Sequence, residues 1–214
     1  MGDFSMLSDK IINLNQDHIL GVGYHKTTYI HPNNDALCIK VPFSQNDIDL
    51  KRELTYRKVR EKRGQSSTLL PTYYGTTLTN KGEGHIFERV HHYNGKNSIS
   101  LKEFLVLHQQ EGDNTAFTEA LQKMLSDLKK TWFAEKIVTS DTDPVNFMVQ
   151  EINPSQYVIR IVDNIGTPVL IPFAFYFDFI AEKRVRRYWA RFLKSLIKLL
   201  PSQIDRHALF KDLY

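Results

Sequence analysis

The chain has 214 residues, 42% hydrophobic and 24% charged. These are ordinary globular values, so disorder is not the default, and the length suffices for one substantial domain or two packed lobes. The formal charge of +4 favours phosphate-bearing partners without selecting one, and the single cysteine, Cys38, excludes an internal disulfide and suits a reducing compartment. Met1 to Lys10 carries acids and no apolar signal core, and the longest greasy stretch, Val169 to Ile180, is broken by Pro172 and Asp178. A cytoplasmic location is expected.

In chain order, Asp17 to Gly23 reads as a strand ending in paired glycines, and Thr27 to Ile30 resumes before a His31-Pro32-Asn33-Asn34 turn. Ala36 to Val41 is a strand, apolar but for Lys40. Asn46 offers a cap for a helix over 47–63, closed by Gly64. Leu69 to Thr77 and Gly84 to His91 read as further strands, and the polar run Tyr93 to Ser98 as a linker between lobes. Helices follow over 100–109 and 114–135, then a polar loop from Thr139 to Pro144. Two strands come next, 146–151 and 157–162, joined at Asn153-Pro154-Ser155. Beyond Gly166 and Pro172 the chain to Leu200 is mostly one helix. Strands first and helices later predict an α+β fold in two lobes, residues 1–92 and a reduced, mostly helical 93–214.

The chemistry-bearing residues follow the same order. Gly21-Val22-Gly23-Tyr24-His25-Lys26 lies between two strands, where alternating glycines let a backbone approach phosphates closely; any tight hairpin could use them too. Lys40, inside an apolar strand, must be paired or face a polar cleft, because burying a lone ammonium is costly. There it would hold nucleotide phosphates; a solvent-facing edge lysine is the alternative. Glu53, in the next helix among Lys51, Arg52, Arg57 and Lys58, suits a partner for that lysine, or else a local i,i+4 pair.

Ser140-Asp141-Thr142-Asp143-Pro144-Val145-Asn146 sets an acid five residues before an asparagine, ahead of an apolar strand. That spacing lets Asp141 accept a hydroxyl proton while Asn146 ligates a metal from the same loop. An Asx-rich turn would have the same composition. Asp163 ends the strand Ile159-Arg160-Ile161-Val162, with Gly166 shortly after, and is suited to reach Mg²⁺ bridging phosphates. Each element is weak alone; their order is what discriminates.

On these residues the chain resembles the YrbL-like family, the PhoP regulatory network proteins, within the protein-kinase-like superfamily. Tyr29-Ile30-His31-Pro32, Arg52-Glu53-Leu54, Leu70-Pro71-Thr72-Tyr73-Tyr74-Gly75 and Val162-Asp163-Asn164-Ile165-Gly166 extend the likeness from about Leu20 to Leu196. A more distant resemblance is to kinases of bacterial lipopolysaccharide core sugars. The resemblance implies ATP and Mg²⁺ in a cleft between lobes, with Gly21, Gly23 and Lys40 on the phosphates and Glu53 paired to Lys40. It makes Asp141 the base and Asn146 and Asp163 the metal ligands, and it has Glu88 to Val90 offer backbone groups to adenine.

The departures are specific. Lys26 replaces the third glycine and is expected to reach phosphate itself. Thr139-Ser140 stands for the usual His-Arg before the catalytic Asp. Asp143 replaces a lysine that neutralises the moving phosphoryl group, and an acid there repels it unless a cation screens it. Asn-Ile-Gly follows Asp163 instead of Phe-Gly, and no Ala-Pro-Glu signature follows, so the peptide-docking part is missing and a protein substrate is disfavoured.

Two function classes result. One is an ATP-dependent phosphotransferase acting on a non-protein hydroxyl, of carbohydrate or lipopolysaccharide type. The other is a catalytically impaired kinase-like regulator that acts through a protein partner. The C-terminal helix carries Arg184, Arg187, Arg191, Lys194 and Lys198 beside an apolar stripe that suits core packing. Its basic side is either a solvated face or a contact for an anionic substrate or membrane surface. No nucleic-acid-binding signature and no Cys/His zinc spacing is present.

Overall fold

The structure is a computed structural model describing residues 11–44, 47–108, 115–154, 156–166, 177–200, 204–211 and 213. The chain forms two compact units, Met1–Ile48 with Pro71–Val90, and Asp49–Leu70 with His91–Tyr214.

The first unit is a five-stranded antiparallel sheet of β1 (Ile19–Val22), β2 (Lys26–His31), β3 (Asn34–Pro42), β4 (Tyr73–Thr79) and β5 (Gly82–Glu88), ordered β1-β2-β3-β5-β4. Period-two alternation divides β3: Ile39 and Val41 join Leu14, Tyr29 and Ile86 in a small core, with Leu37 packed against it. Cys38 and Lys40 therefore point to the opposite face, where register sets them beside Phe87 and His85 of β5. The segment before β1 is fastened by Asn80, whose side chain accepts from the Leu14 N–H at 2.8 Å and donates to its carbonyl at 3.1 Å.

Apolar spacing builds the second unit. Its helices are α1 (Ile48–Lys62, whose first residue belongs to the first unit), α2 (Leu101–Leu107), α3 (Thr115–Glu135), α4 (Asp178–Leu199) and α5 (Arg206–Phe210). Its sheet is β6 (Ile99–Ser100), β7 (Phe147–Asn153) and β8 (Gln156–Ile161), all antiparallel. Leu121, Leu125, Leu128 and Trp132 recur at three- and four-residue spacing on α3, as do Val185, Tyr188, Trp189, Phe192 and Leu196 on α4. The two stripes meet at Trp132, edge-on to Trp189 and Phe192 at 6.0 Å each. The apolar stripe of the C-terminal helix is thus core packing. Trp132 donates its indole N–H to the Ile137 carbonyl at 2.7 Å, which draws the chain after α3 into this core.

α1 agrees with the expected helix to within one residue at each end, and Gly64, at φ 63°, closes it. Asn46, its expected cap, lies outside the described residues, as do Ser155 and Pro172. The strand expected from Leu69 begins only at Tyr73. Leu69 and Leu70 are apolar because they are buried in the core of the second unit, and the Leu69 carbonyl accepts from the Ile161 N–H at 2.8 Å. α5 has no counterpart among the elements expected from sequence, being five residues long.

One glycine of the first unit is fixed by packing. A Cβ on Gly84 would lie 2.5 Å from Ile39 Cγ2 and 3.2 Å from Thr79 Cγ2, inside the small core. Gly84→Ala is expected to lower stability by about 1–3 kcal/mol through overpacking, read as a lower urea midpoint. Gly21→Ala, with no atom within 4 Å of the added Cβ, is expected to leave the midpoint unchanged.

Candidate functional site

In the first unit the glycine hairpin joins β1 to β2, closed by the Gly23 N–H donating to the Lys26 carbonyl at 2.9 Å. Neither Gly21 nor Gly23 has positive φ, and the nearest atom to a Cβ on Gly23 is 3.5 Å away. The turn itself therefore does not require either glycine, so a hairpin's conformational need does not explain them. Lys26 pairs with Pro42 and Thr28 with Lys40, which sets Lys26 and Lys40 on one sheet face. Lys40 is 6% exposed and β3 is an inner strand, which removes the solvent-facing edge alternative. Its Nζ lies 4.4 Å from the Phe87 ring centroid, a cation–π contact that lowers the cost of holding the charge there.

At the end of β5, the Glu88 N–H donates to Thr72 and the Arg89 N–H to Ala36, both at 2.8 Å. The Glu88 carboxylate accepts from the Thr72 N–H at 2.9 Å, so its side chain serves the turn before β4. Among the described residues no hydrogen bond engages the backbone of Val90. Of this stretch, Val90 is the residue whose N–H and C=O suit the edge of a base.

In the second unit, Asp141 is exposed at the tip of its loop. Oδ1 accepts the Asp143 N–H at 2.9 Å, and Oδ2 accepts the Asn146 side-chain amide at 2.9 Å. Asp143 caps the 3-10 turn Pro144–Asn146 by accepting the Val145 N–H at 3.0 Å. The Asx-turn reading is therefore realised, and the acid at the position of the missing lysine has a local structural task. The contact between Asp141 and Asn146 is more than turn geometry requires.

β7 and β8 set the next pairing. Phe147 opposes Ile161, and the Val162 N–H donates to the Asn146 carbonyl at 3.0 Å, so Asp163 follows the residue bonded to Asn146. The Asn146 amide nitrogen is spent on Asp141. Its Oδ1 takes no hydrogen bond among the described residues, which leaves a ligating oxygen beside a carboxylate. Two hard oxygen donors fit Mg²⁺, which completes its shell with phosphate oxygens and water. The described residues contain no group of three or more His, Cys, Asp and Glu side chains arranged for a metal.

Glu53, on α1, is 2% exposed, and its Oε1 accepts from Arg57 Nε and Nη2 at 2.8 and 2.7 Å. The local i,i+4 pair is thus present.

Several residues given no such role from sequence hold this loop. Thr139, 0% exposed, has its hydroxyl within donating reach of the carbonyls of Asp141 at 2.9 Å and Asn164 at 2.8 Å, which share its one proton, and the Ser140 N–H also reaches the Asn164 carbonyl at 2.8 Å. Asn164 turns that carbonyl inward by adopting φ 57°, a left-handed conformation asparagine tolerates, with its N–H on Asp163 Oδ1 at 2.8 Å. The signal was available as an Asn before a Gly at a strand end. Arg52 Nη2 donates to the Ser140 hydroxyl at 3.1 Å, and Nη1 pairs with Asp49 at 2.8 Å. A cation from α1 thus stands against the residue that replaces the usual loop arginine. Only folding reveals that substitution. The buried Tyr56 hydroxyl, whose pKa burial raises, accepts the Val138 N–H at 3.0 Å and so braces the same loop.

Comparison with known proteins identifies the family and the fold. A family model described as PhoP regulatory network protein YrbL matches residues 12–197. The uncharacterized protein YrbL of Escherichia coli K12 is 31% identical over 198 residues, which cover 91% of this chain and 92% of that protein; its namesake in Shigella flexneri matches equally. Among solved structures, Rad53 1-466 in complex with AMP-PNP aligns with a TM-score of 0.55 at 16% identity, over 92% of this chain. This chain spans half the length of that one. At that identity the likeness establishes the fold, which is protein-kinase-like.

The bonds of Thr139 have a measurable consequence. Thr139→Val keeps the shape but removes a buried hydroxyl shared by the Asp141 and Asn164 carbonyls, the latter keeping the Ser140 N–H, so a loss of about 0.5–1.5 kcal/mol in unfolding free energy is expected. Thr139→Ser, which restores the hydroxyl, should recover most of it in the same urea titration.

Proposed function

We propose that this chain, which belongs to the PhoP regulatory network protein YrbL family, is an ATP-dependent phosphotransferase acting on the hydroxyl of a non-protein acceptor. The observation that supports it best is the set of bonds in the second unit that gathers Asp141, Asn146 and the Asp163-Asn164 pair. An ordinary Asx turn has no need of an aspartate joined both to an asparagine amide five residues on and to the residue that follows a strand-end aspartate.

In this reading, Lys26, Lys40 and the glycine hairpin take the nucleotide phosphates, and the Val90 backbone takes the base. Glu53, with Arg57 on one oxygen, supplies the counter-charge assigned to Lys40. Asn146 Oδ1 and Asp163 hold magnesium, which when bound neutralises charge on the phosphate oxygens. Asp141, fixed by the Asp143 N–H and the Asn146 amide, accepts the proton of the acceptor hydroxyl. The acceptor is of carbohydrate or lipopolysaccharide type, in keeping with the missing peptide-docking signature, and the surroundings are cytoplasmic. A second reading, a nucleotide-binding regulator with impaired turnover, is favoured by Asp143, whose negative charge stands where a lysine neutralises the moving group.

Mg-ATP at about a hundred times its dissociation constant should stabilise the native chain by about 2.7 kcal/mol, visible as a raised melting temperature. Asp163→Ala should abolish that rise, and Asp141→Asn should keep it while lowering phosphoryl transfer roughly 10²–10⁴-fold. A native chain whose melting point ignores Mg-ATP would refute both readings, whereas binding without turnover on sugar acceptors selects the regulator. Gly21→Ala should weaken the ATP-dependent rise without moving the unliganded melting point, which separates a ligand-facing glycine from a structural one.

A further inference from the structure

The unused feature with the clearest chemistry is the outer side of α4. Lys183, Arg187, Arg191, Lys194 and Lys198 are all exposed. At 100° per residue they fall within about 80° of the helix circumference, along about 22 Å of its length. None of the five is ion-paired with a described residue. The acids of α4 lie elsewhere on its circumference and are already engaged: Asp178 by Arg63 at 2.6 Å and Lys136 at 3.0 Å, and Glu182 by Lys136 at 2.9 Å. In a chain with 28 basic and 24 acidic residues, a merely solvated face would be expected to mix signs. This one does not.

Exposed apolar groups lie at the N-terminal end of the stripe. At the N-terminal end, Phe177 and Phe179 are 48% and 70% exposed, with ring centroids 6.2 Å apart. At the C-terminal end, Arg206, His207 and Lys211 line an open groove of about 430 Å³ between α4 and α5, floored by Ile197 and Phe210, which pack into the core. α5 is held there by the Trp189 indole N–H on the Leu213 carbonyl at 2.7 Å and by Gln122 on the Ala208 carbonyl at 3.1 Å. A straight row of unpaired cations with exposed phenylalanines at its N-terminal end matches an amphiphilic anionic surface, with phosphates along the row and hydrocarbon around the rings. A nucleic-acid backbone would use the cations and leave the phenylalanines without a task unless bases were unstacked onto them.

We propose that the α4 stripe docks the protein on the surface of a membrane containing anionic phospholipid, with Phe177 and Phe179 entering the interfacial layer. No described helix is long and apolar enough to cross a membrane, so the contact is peripheral. The inference uses none of the residues of the nucleotide-binding reading and does not depend on it.

The test is co-sedimentation of the full chain with vesicles of phosphatidylcholine alone or mixed with phosphatidylglycerol. Binding is expected only to the mixed vesicles, weakening as salt is raised. Neutralising one stripe cation should reduce the partition coefficient roughly five-fold, since each is worth about that factor near an anionic surface. The triple variant Arg187→Gln, Arg191→Gln, Lys194→Gln should reduce it on the order of a hundred-fold. The triple Arg187→Lys, Arg191→Lys, Lys194→Arg exchange, preserving charge, should restore it. Phe179→Ser should weaken binding to mixed vesicles several-fold at fixed charge, an effect a purely electrostatic contact would not give. Equal binding to neutral vesicles, no binding, or indifference to the Gln substitutions would overturn the proposal. So would tighter stripe-dependent binding to a single-stranded oligonucleotide at the same salt. An unchanged Mg-ATP melting shift in the Gln variant keeps this outcome separate from the fate of the nucleotide reading.

Discussion

Much of the candidate chemistry in the second unit depends on one carbonyl, that of Asn164. It receives the Thr139 hydroxyl and the Ser140 N–H, and it faces them because Asn164 adopts a left-handed conformation. A side chain less tolerant of positive φ would pay strain at this residue. With that bond made, the loop carrying Asp141 lies against the segment carrying Asp163, and the amide of Asn146 closes the arrangement from the β7 side. Burial of Thr139 away from water makes these bonds costly to break, so the loop geometry is set before any ligand arrives.

The departures from the protein-kinase pattern acquire physical content on this basis. Thr139 and Ser140 stand where a histidine and an arginine are usual, yet backbone and hydroxyl bonds still tie the loop to the strand end. The missing cation has a counterpart in Arg52, which reaches the Ser140 hydroxyl from α1. Asp143 would repel a transferring phosphoryl group, and it also caps the turn that positions Asn146. A residue with both effects links the geometry of the loop to its electrostatics, and for that reason the two function classes diverge at this position.

In the first unit, a lysine with 6% exposure on an inner strand is costly unless its charge is compensated. The Phe87 ring is one visible compensation. The glycines of the adjoining hairpin fit this picture, because neither backbone strain nor crowding explains them. On α4 the same logic applies with the opposite sign of burial: cations in water are cheap, and what needs explanation is their segregation from acids along one side.

Local pattern alone was enough to place α1, α3, α4 and the central strands, because apolar residues at periods of two or near 3.6 have few other ways to be buried. The Asp141-to-Asn146 spacing and the strand lysine were legible for a similar reason, since their chemistry is confined to a few consecutive residues. Tertiary structure decided the rest. Leu69 and Leu70 look like strand residues until the core they enter is known. Arg52 and Tyr56 join the loop, and Thr139 anchors it, through partners 25 to 88 positions away. Unpaired stripes such as that of α4 also emerge only when the acids nearby in sequence are seen to be bonded elsewhere. A contact between distant residues leaves no periodicity in a single sequence, so the folded chain is the first place where it can be read.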